Sequence, residues 1–248
     1  MNWSKLKSIM IFMLFGINIF LLIFMGITTF NENRISDKVI TATVNTLKAQ
    51  GFECDEAIIP RRDYSLPVLT IKFYSAVELS DMFFGKQMPF RTENDSLIAE
   101  NGNKVLTVKS NYFSFSSGKT PVKSDYKTLC KALKKAGIDI SESVYDSENN
   151  YFYGMYKNAN LFNMYIRAET DKNGELCVVE AQWPSLIRLG SQQNLSFFSR
   201  IMKIKEGFPN GGKIENIELG YELKPPHGDN YEMVPSWRIT VGGNPKLF

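Results

Sequence analysis

The stretch at residues 149–183, "NNYFYGMYKNANLFNMYIRAETDKNGELCVVEAQW", decides the fold class of this 248-residue chain. It contains three runs that are rich in aromatic and β-branched residues, "NNYFYGMYK", "LFNMYIRAE" and "ELCVVEAQW", which is typical of β-strands. The last two runs are joined by "TDKNG", whose Asn-Gly pair favours a tight hairpin turn. The stretch therefore predicts consecutive antiparallel strands.

Further strands and helices are predicted on both sides of this stretch. The strand-like runs are "PVLTIKFY" at 67–74, "SLIAENGNKVLTV" at 96–108 with an Asn-Gly turn, "SNYFSFSS" at 110–117, "GKIENIELGYEL" and, after the loop "KPPHGDN", "EMVPSWRITV". Helical periodicity occurs in "SDKVITATVNTLKAQG", "SDYKTLCKALKKAG" and "NLSFFSRIMKIKEG", where the last would place Leu195, Phe198 and Met202 on one side. We expect an α+β fold in which helices pack on one face of antiparallel sheets.

The first two of these helices share a pattern about 86 residues apart. In each, apolar residues recur at i, i+4 and i+7 before a glycine suited to a left-handed helix end. The shared positions are Ile40, Val44, Leu47 and Gly51 in the first helix and Tyr126, Cys130, Leu133 and Gly137 in the second. This recurring pattern is either a structural repeat or a chance match between common helix ends. Gly, Pro, Ser and Lys cluster in "SSGKTPVKSD", so we place a boundary there between two similar subdomains, 31–122 and 123–248.

An uncharged apolar segment occupies residues 9–30. As a helix, these roughly 22 residues would span about 33 Å, enough to cross a bilayer. The segment is longer than the apolar part of a cleaved signal peptide and lacks a small-residue cleavage site. The alternatives are an uncleaved signal and a cut before residue 31. Lys5 and Lys7 precede the segment, whereas Glu32 and Arg34 cancel after it. We therefore expect a cytoplasmic tail at 1–8, a single transmembrane helix at 9–30 and an extracytoplasmic region after it.

Composition argues against several classes of function. The formal net charge is +3, from 29 basic and 26 acidic residues without a basic stripe, so nucleic acid is not an expected partner. Cys54, Cys130 and Cys177 are far apart and form no C-x-x-C motif, which favours buried thiols over a zinc site or a disulfide scaffold.

The catalytic motifs in the chain are incomplete. "SGKT" at 117–120 lacks the first glycine of a phosphate-binding loop, "SDYK" at 124–127 fits a helix cap better than an acyl-enzyme serine, and "DKNGE" at 171–175 fits a hairpin turn better than a calcium loop. His227 is the sole histidine, so the chain itself cannot supply a multi-histidine metal site. Carboxylates such as Asp55, Glu56 and Glu142 could still pair across the fold. We expect a protein that is not an enzyme and needs no cofactor or metal.

Both ends of the chain carry motifs of a known family. The start "NWSKLKSIMIF" is followed by "NIFLLIF", and the tail "GGKIENIELGYELKPP" is followed by "MVPSWRITVGG". Together they resemble the YycI (WalI) family, membrane-anchored regulators of Gram-positive Firmicutes. The matching positions are Trp3, Lys7, 18–22, 219–221, Pro235 and Trp237.

The resemblance implies a regulator of cell-wall metabolism. Such proteins act with a YycH-like protein on the sensor histidine kinase WalK of a two-component system. We expect the apolar segment to take part in this contact. Asn18, near the middle of the segment, could form an interhelical hydrogen bond or bond its own backbone, and Gly16 on a nearby face could admit another backbone. Trp237 and Ile239 are expected to be core residues rather than interface residues.

Two alternatives belong to other functional classes. A ligand-binding module for a wall fragment or small molecule would have a cavity near Tyr151, Tyr153 and Tyr156. A wall hydrolase would have two facing carboxylates about 5–10 Å apart in a cleft.

Overall fold

The computed structural model describes residues 3–32, 35–227 and 230–248, and within the first helix it describes side chains only at Lys7 and residues 10–23. The helices are α1 (Trp3–Glu32), α2 (Asp37–Ala49), α3 (Ala76–Phe84), α4 (Tyr126–Ala136), α5 (Phe197–Ile201) and α6 (Ile204–Gly207), with one 3-10 turn at Glu56–Ile58. The strands are β1 (Phe52–Glu53), β2 (Tyr64–Phe73), β3 (Arg91–Glu93), β4 (Ser96–Asn101), β5 (Lys104–Lys109), β6 (Tyr112–Ser116), β7 (Ser143–Asp146), β8 (Tyr151–Tyr156), β9 (Ala159–Thr170), β10 (Leu176–Gln182), β11 (Pro184–Leu195), β12 (Gly212–His227), β13 (Asn230–Val241) and β14 (Asn244–Leu247).

These 14 strands form one mixed sheet with the main order β11-β2-β13-β12-β9-β10-β6-β5-β4-β3. The predicted fold class, a transmembrane helix followed by antiparallel sheets with helices on one face in two similar subdomains, is therefore wrong. The reason is that β12 and β13 insert between β2 and β9, and β12 pairs in parallel with both β9 and β1. Strand pairing between segments so distant in the chain cannot be recognised from the pattern of neighbouring residues in the sequence. Within the described parts of the chain, none of the helices combines the length and apolar character needed to cross a membrane.

The hairpins that local sequence predicts are confirmed. The β4–β5 turn closes at Asn101 paired with Lys104, with Gly102 at a φ of 60°. The β9–β10 turn follows from "TDKNG", since the Gly174 N–H donates to the Asp171 carbonyl at 2.9 Å. Because such turns need positive φ at one or two positions, a short polar motif suffices to specify them.

The chain divides into two compact units. Unit 1 comprises Met1–Ser65, Asn194–Ile217 and Thr240–Asn244, and unit 2 comprises Leu66–Gln193, Glu218–Ile239 and Pro245–Phe248. The boundary expected after residue 122 falls inside unit 2.

Unit 1 contains α2, whose predicted buried stripe of Ile40, Val44 and Leu47 is confirmed. Gly51 has a φ of 87° after this helix, and its carbonyl accepts a hydrogen bond from the Gly212 N–H at 3.1 Å. The left-handed conformation of Gly51 ends the helix and directs the chain into β1. Strand β1 pairs with the start of β12.

The single helix predicted over residues 194–207 is wrong. Leu195 ends β11, and two short helices, α5 and α6, follow it. Phe197, Ile201 and Ile204 are buried, whereas Met202 is 65% exposed. The packing of these three side chains, rather than a continuous helical stripe, determines the local backbone.

Unit 2 contains α3 and α4, which contact strands β4, β5, β9 and β10. The Asp125 carboxylate caps α4 by accepting the Thr128 N–H at 2.7 Å, as a cap at "SDYK" predicts. The buried side of α4 consists of Leu129, Ala132 and Leu133, whereas the expected stripe residue Tyr126 is 52% exposed. Of the expected stripe, Leu133 is buried as predicted, Cys130 is half-buried and Tyr126 is exposed. All three cysteines are free, and Cys177 is buried while Cys54 and Cys130 are half-buried.

The expected loop "KPPHGDN" is shorter than predicted. Strand β12 continues to His227 and β13 begins at Asn230. Residues 228–229 lie outside the described residues, as does the side chain of His227.

The turns "SGKT" and "DKNGE" meet in an ion-pair cluster. The Lys119 Nζ lies 2.8 Å from Asp171 Oδ2 and 2.7 Å from Glu175 Oε2. Asp171 Oδ1 also accepts the N–H groups of Asn173 and Glu175 at 2.8 and 3.0 Å. The hydrogen bonds from Lys119 and these backbone groups lower the pKa of Asp171 to about 2. The carboxylate therefore ties the β9–β10 hairpin to the end of β6.

This cluster predicts a specific pH dependence of stability. Because the folded pKa of Asp171 lies below its unfolded value of about 3.9, the ionised form contributes stability above about pH 4 and loses it as pH falls toward 2. We expect Asp171→Asn, which keeps the acceptor for the turn N–H groups, to lower Tm at pH 7 and to melt like the wild type near pH 2. Thermal melts at stepped pH measure this, with Asp63→Asn at an exposed position as the control. A Tm difference that is constant from pH 7 to 2 would contradict the ionic contribution.

Candidate functional site

Helix α1 contains Gly16 and Asn18, the two residues predicted from the sequence to contact a partner. Asn18 Nδ2 donates to its own helix at Leu14 O, at 2.8 Å, so this bond of the amide is intrahelical. A Cβ added at Gly16 would meet nothing within 4 Å, which leaves room for a neighbouring backbone. At about 100° per residue, the two positions point about 160° apart around the axis, so the expectation that they share nearby faces is wrong.

Two of the candidate catalytic carboxylates, Asp55 and Glu56, have structural contacts. Asp55 caps the 3-10 turn by accepting the Ala57 N–H at 2.9 Å, and Glu56 accepts a hydrogen bond from Thr41 Oγ1 at 3.2 Å. Glu142 lines a cavity of about 370 Å³ beside Trp183. In the described part of the chain, no group of three or more His, Cys, Asp or Glu side chains is arranged to hold a metal ion.

The outer face of strands β6, β8, β9 and β10 in unit 2 is rich in tyrosine. Strand register places Tyr153 opposite Tyr165, and Tyr151 opposite Arg167. Because directly paired residues share a face, these side chains all lie on the side away from the buried residues of the same strands. We call the set Tyr112, Tyr151, Tyr153, Tyr165 and Arg167 the tyrosine face.

The rings on the tyrosine face support one another. Tyr151 and Tyr153 stack with centroids 5.7 Å apart and planes within 10°, and Tyr151 lies 5.8 Å from Tyr165. Burial raises the pKa of Tyr165, and the neighbouring Tyr151 and Glu180 raise it further. The Tyr165 phenol is therefore a neutral hydrogen-bonding group at physiological pH.

A bulge in β9 interrupts the ladder next to these rings. Pairing with β8 shifts between Tyr153–Tyr165 and Met155–Asn160, so β9 contributes extra residues there. Within the bulge Asn163 has a φ of 69° and is exposed, while Leu161 and Phe162 are consecutive buried residues. A bulge re-aims side chains that regular alternation would place on opposite faces.

The bulge and the tyrosine face border a cavity of about 570 Å³, which we call the tyrosine cavity. Tyr153 and Tyr165 line its aromatic part, and Gln182 lines it from β10. Asn160 and Asn163, both in the bulged part of β9, also line the cavity. All of these residues belong to unit 2.

One wall of the tyrosine cavity is formed by Phe162 and Arg238. The Arg238 guanidinium lies 4.2 Å from the centroid of the Phe162 ring, and its Nε donates to Glu218 Oε2 at 2.7 Å. Phe162 also packs over Gly220, where an added Cβ would lie 2.4 Å from Phe162 Cζ. The glycine thus lets the ring pack closely against β12.

Sequence reasoning identified only part of this cavity. Of the three tyrosines it named, Tyr153 lines the cavity and Tyr151 stacks on Tyr153, whereas Tyr156 is buried and packs edge-on against Tyr221 at 6.0 Å. Phe162 and Arg238 were missed. The doubled apolar pair at residues 161–162, which breaks the alternation of β9, was the available signal for the bulge.

Comparisons with known proteins give little further information. No protein-family model matches the chain, and no curated protein matches it. Among solved structures, an uncharacterized protein from Eubacterium rectale ATCC 33656 is similar to this chain, with 11% identity and a TM-score of 0.40 over 79% of this chain and 85% of that protein. A likeness at this level carries no argument about fold or function.

Proposed function

We propose that the protein is a non-enzymatic, membrane-associated regulator that binds a WalK-like sensor histidine kinase together with a YycH-like protein and modulates two-component signalling in cell-wall metabolism. The motifs at the two ends of the chain, which resemble the YycI family, suggest the class of partner. The observation that carries the proposal is the exposed apolar surface of α1.

Every large apolar side chain described in α1 is exposed. The exposed fraction ranges from 42% at Ile19 to 75% at Phe12. Exposed apolar surface of this extent marks a site of contact with protein or lipid, because its hydration is unfavourable. An apolar surface on a partner protein would complement it.

The placement of Gly16 and Asn18 supports contact with two partners. Since the two positions point in nearly opposite directions, one partner helix cannot contact both directly. Gly16 gives close backbone approach on one side, and the remaining hydrogen-bonding capacity of Asn18 is available on the other. The kinase and the YycH-like protein would then occupy different sides of α1.

Detergent co-purification from native membranes tests this proposal. The tagged full-length chain is compared with a variant in which residues 9–30 are replaced by an unrelated apolar sequence, and co-purified proteins are identified by mass spectrometry. We expect a sensor kinase and a YycH-like protein only with the native segment. Gly16→Leu should reduce recovery of one partner, and Asn18→Leu should reduce recovery of the other by up to about fivefold, since such a bond contributes roughly 1 kcal/mol.

The control is Ile17→Leu, which exchanges one apolar side chain for another in the same helix. Its recovery of both partners should equal that of the wild type. Equal recovery with native and replaced segments, or recovery of neither partner, would refute the proposal.

A further inference from the structure

We propose that the tyrosine cavity binds a neutral saccharide of one or two sugar rings. This inference is independent of the partners of α1, because it rests only on residues of unit 2. The volume of about 570 Å³ falls within the range of small-molecule sites, roughly 300–1,000 Å³. The chemistry of the lining narrows the class of ligand.

The aromatic part of the lining suits the apolar face of a sugar ring. Tyr153 is 44% exposed, yet its ring is held by the parallel stack with Tyr151. A ring that is already fixed in position loses little conformational freedom when a ligand packs against it. The C–H groups on one face of a pyranose can therefore pack on Tyr153, with Tyr165 beside it.

The polar part of the lining suits hydroxyl groups. Asn160, Asn163 and Gln182 line the cavity. Each carries an amide oxygen that accepts and an amide nitrogen that donates hydrogen bonds. A sugar hydroxyl also both donates and accepts. Three such amides around two aromatic rings match a ligand that is polar at its edge and apolar on its face.

The charges at the tyrosine cavity favour an uncharged ligand. The Arg238 guanidinium in the lining is paired with Glu218 and covered on one side by Phe162. On the adjoining tyrosine face, Arg167 is paired with Glu169 at 2.9 Å and with Glu180 at 3.5 Å. An anionic ligand would have to compete with these carboxylates for the guanidinium groups, while a neutral ligand leaves the pairs intact.

Isothermal titration calorimetry tests this inference on the full-length protein in a detergent without a sugar headgroup. The probes are cellobiose, N,N′-diacetylchitobiose and, as a charged comparator, glucose 6-phosphate. We expect saturable binding of at least one disaccharide and weaker or no binding of the phosphate. Tyr153→Ala should weaken binding at least about tenfold, Gln182→Ala about threefold, and Tyr153→Phe less than twofold.

Tyr126→Ala is the matched control, since Tyr126 is a 52% exposed tyrosine on α4 that does not line the tyrosine cavity. Its affinity should equal that of the wild type, and far-UV circular dichroism establishes that each variant is folded. Absence of saturable disaccharide binding to the folded wild type, unchanged affinity in Tyr153→Ala, or preference for the phosphate would each overturn the inference. Retention on insoluble chitin or cellulose would identify a glycan chain as the ligand, whereas disaccharide binding without retention would identify a free sugar.

Discussion

Replacement of Trp237 by alanine is expected to lower the free energy of unfolding by about 3–5 kcal/mol. Trp237 is 2% exposed in β13, which lies between β2 and β12 in the sheet. Its N–H and carbonyl pair with those of Phe248 at 3.0 and 2.9 Å, so its backbone also holds the last strand. Truncation of the side chain would leave a cavity beside β13, the strand that pairs with β2, β12 and β14. Urea unfolding followed by circular dichroism measures the change.

Two further variants test whether the loss of stability comes from the volume removed from the core at Trp237. Trp237→Phe keeps an aromatic ring and should cost about half as much, since less volume is lost. Leu189→Ala removes an apolar side chain that is 63% exposed and should change stability by less than about 0.5 kcal/mol. A Trp237→Ala protein as stable as Leu189→Ala would show that Trp237 is an interface residue and not a core residue.

Alanine at Gly220 is expected to destabilise the protein by about 3 kcal/mol, although it adds only one methyl group. The new Cβ would lie 2.4 Å from Phe162 Cζ and 2.5 Å from Asn160 O. The ring can shift, but the carbonyl belongs to the β9 strand that pairs with β12 at this position. The clash outweighs the roughly 0.4–1 kcal/mol that alanine gains by restricting the unfolded chain.

Gly190→Ala is the control for Gly220→Ala, because its added methyl group makes a milder steric clash. Its added methyl would lie 3.0 Å from Val68 O, a contact that a small backbone adjustment relieves. We expect a loss of about 1 kcal/mol or less, measured in the same urea titration. Equal losses at the two glycines would contradict the close packing of Phe162 against β12.

The parts of the fold that sequence predicted are those that neighbouring residues specify. The Asn-Gly turn at Gly102 and the hairpin after Thr170 depend on a few turn residues, and both are confirmed. The core placement of Trp237 and Ile239 is confirmed too, because alternation along β13 marks its buried face. In each case the determining contacts lie within a few positions of the residue.

The parts that sequence could not predict depend on distant contacts. Gly220 in β12 pairs with Asn160 in β9, and no local pattern records such a parallel pairing. Strand β11 was missed because most of its residues are exposed, so it lacks the alternation of a half-buried strand. The tyrosine cavity was only partly predictable for the same reason: Tyr153, Gln182 and Arg238 come from three strands that only the folded sheet brings together.

In the bulge of β9, the residues that pack in the core alternate with a residue that faces the cavity. Leu161, Phe162 and Met164 are buried in the core, while Asn163 between them is exposed and lines the tyrosine cavity. A substitution at Asn163 by Asp or Gly, which tolerate its positive φ, would alter the cavity wall with little effect on the core. Descendants of this chain could thus diversify the chemistry of the cavity through one solvent-facing position, while the sheet that carries it remains the same.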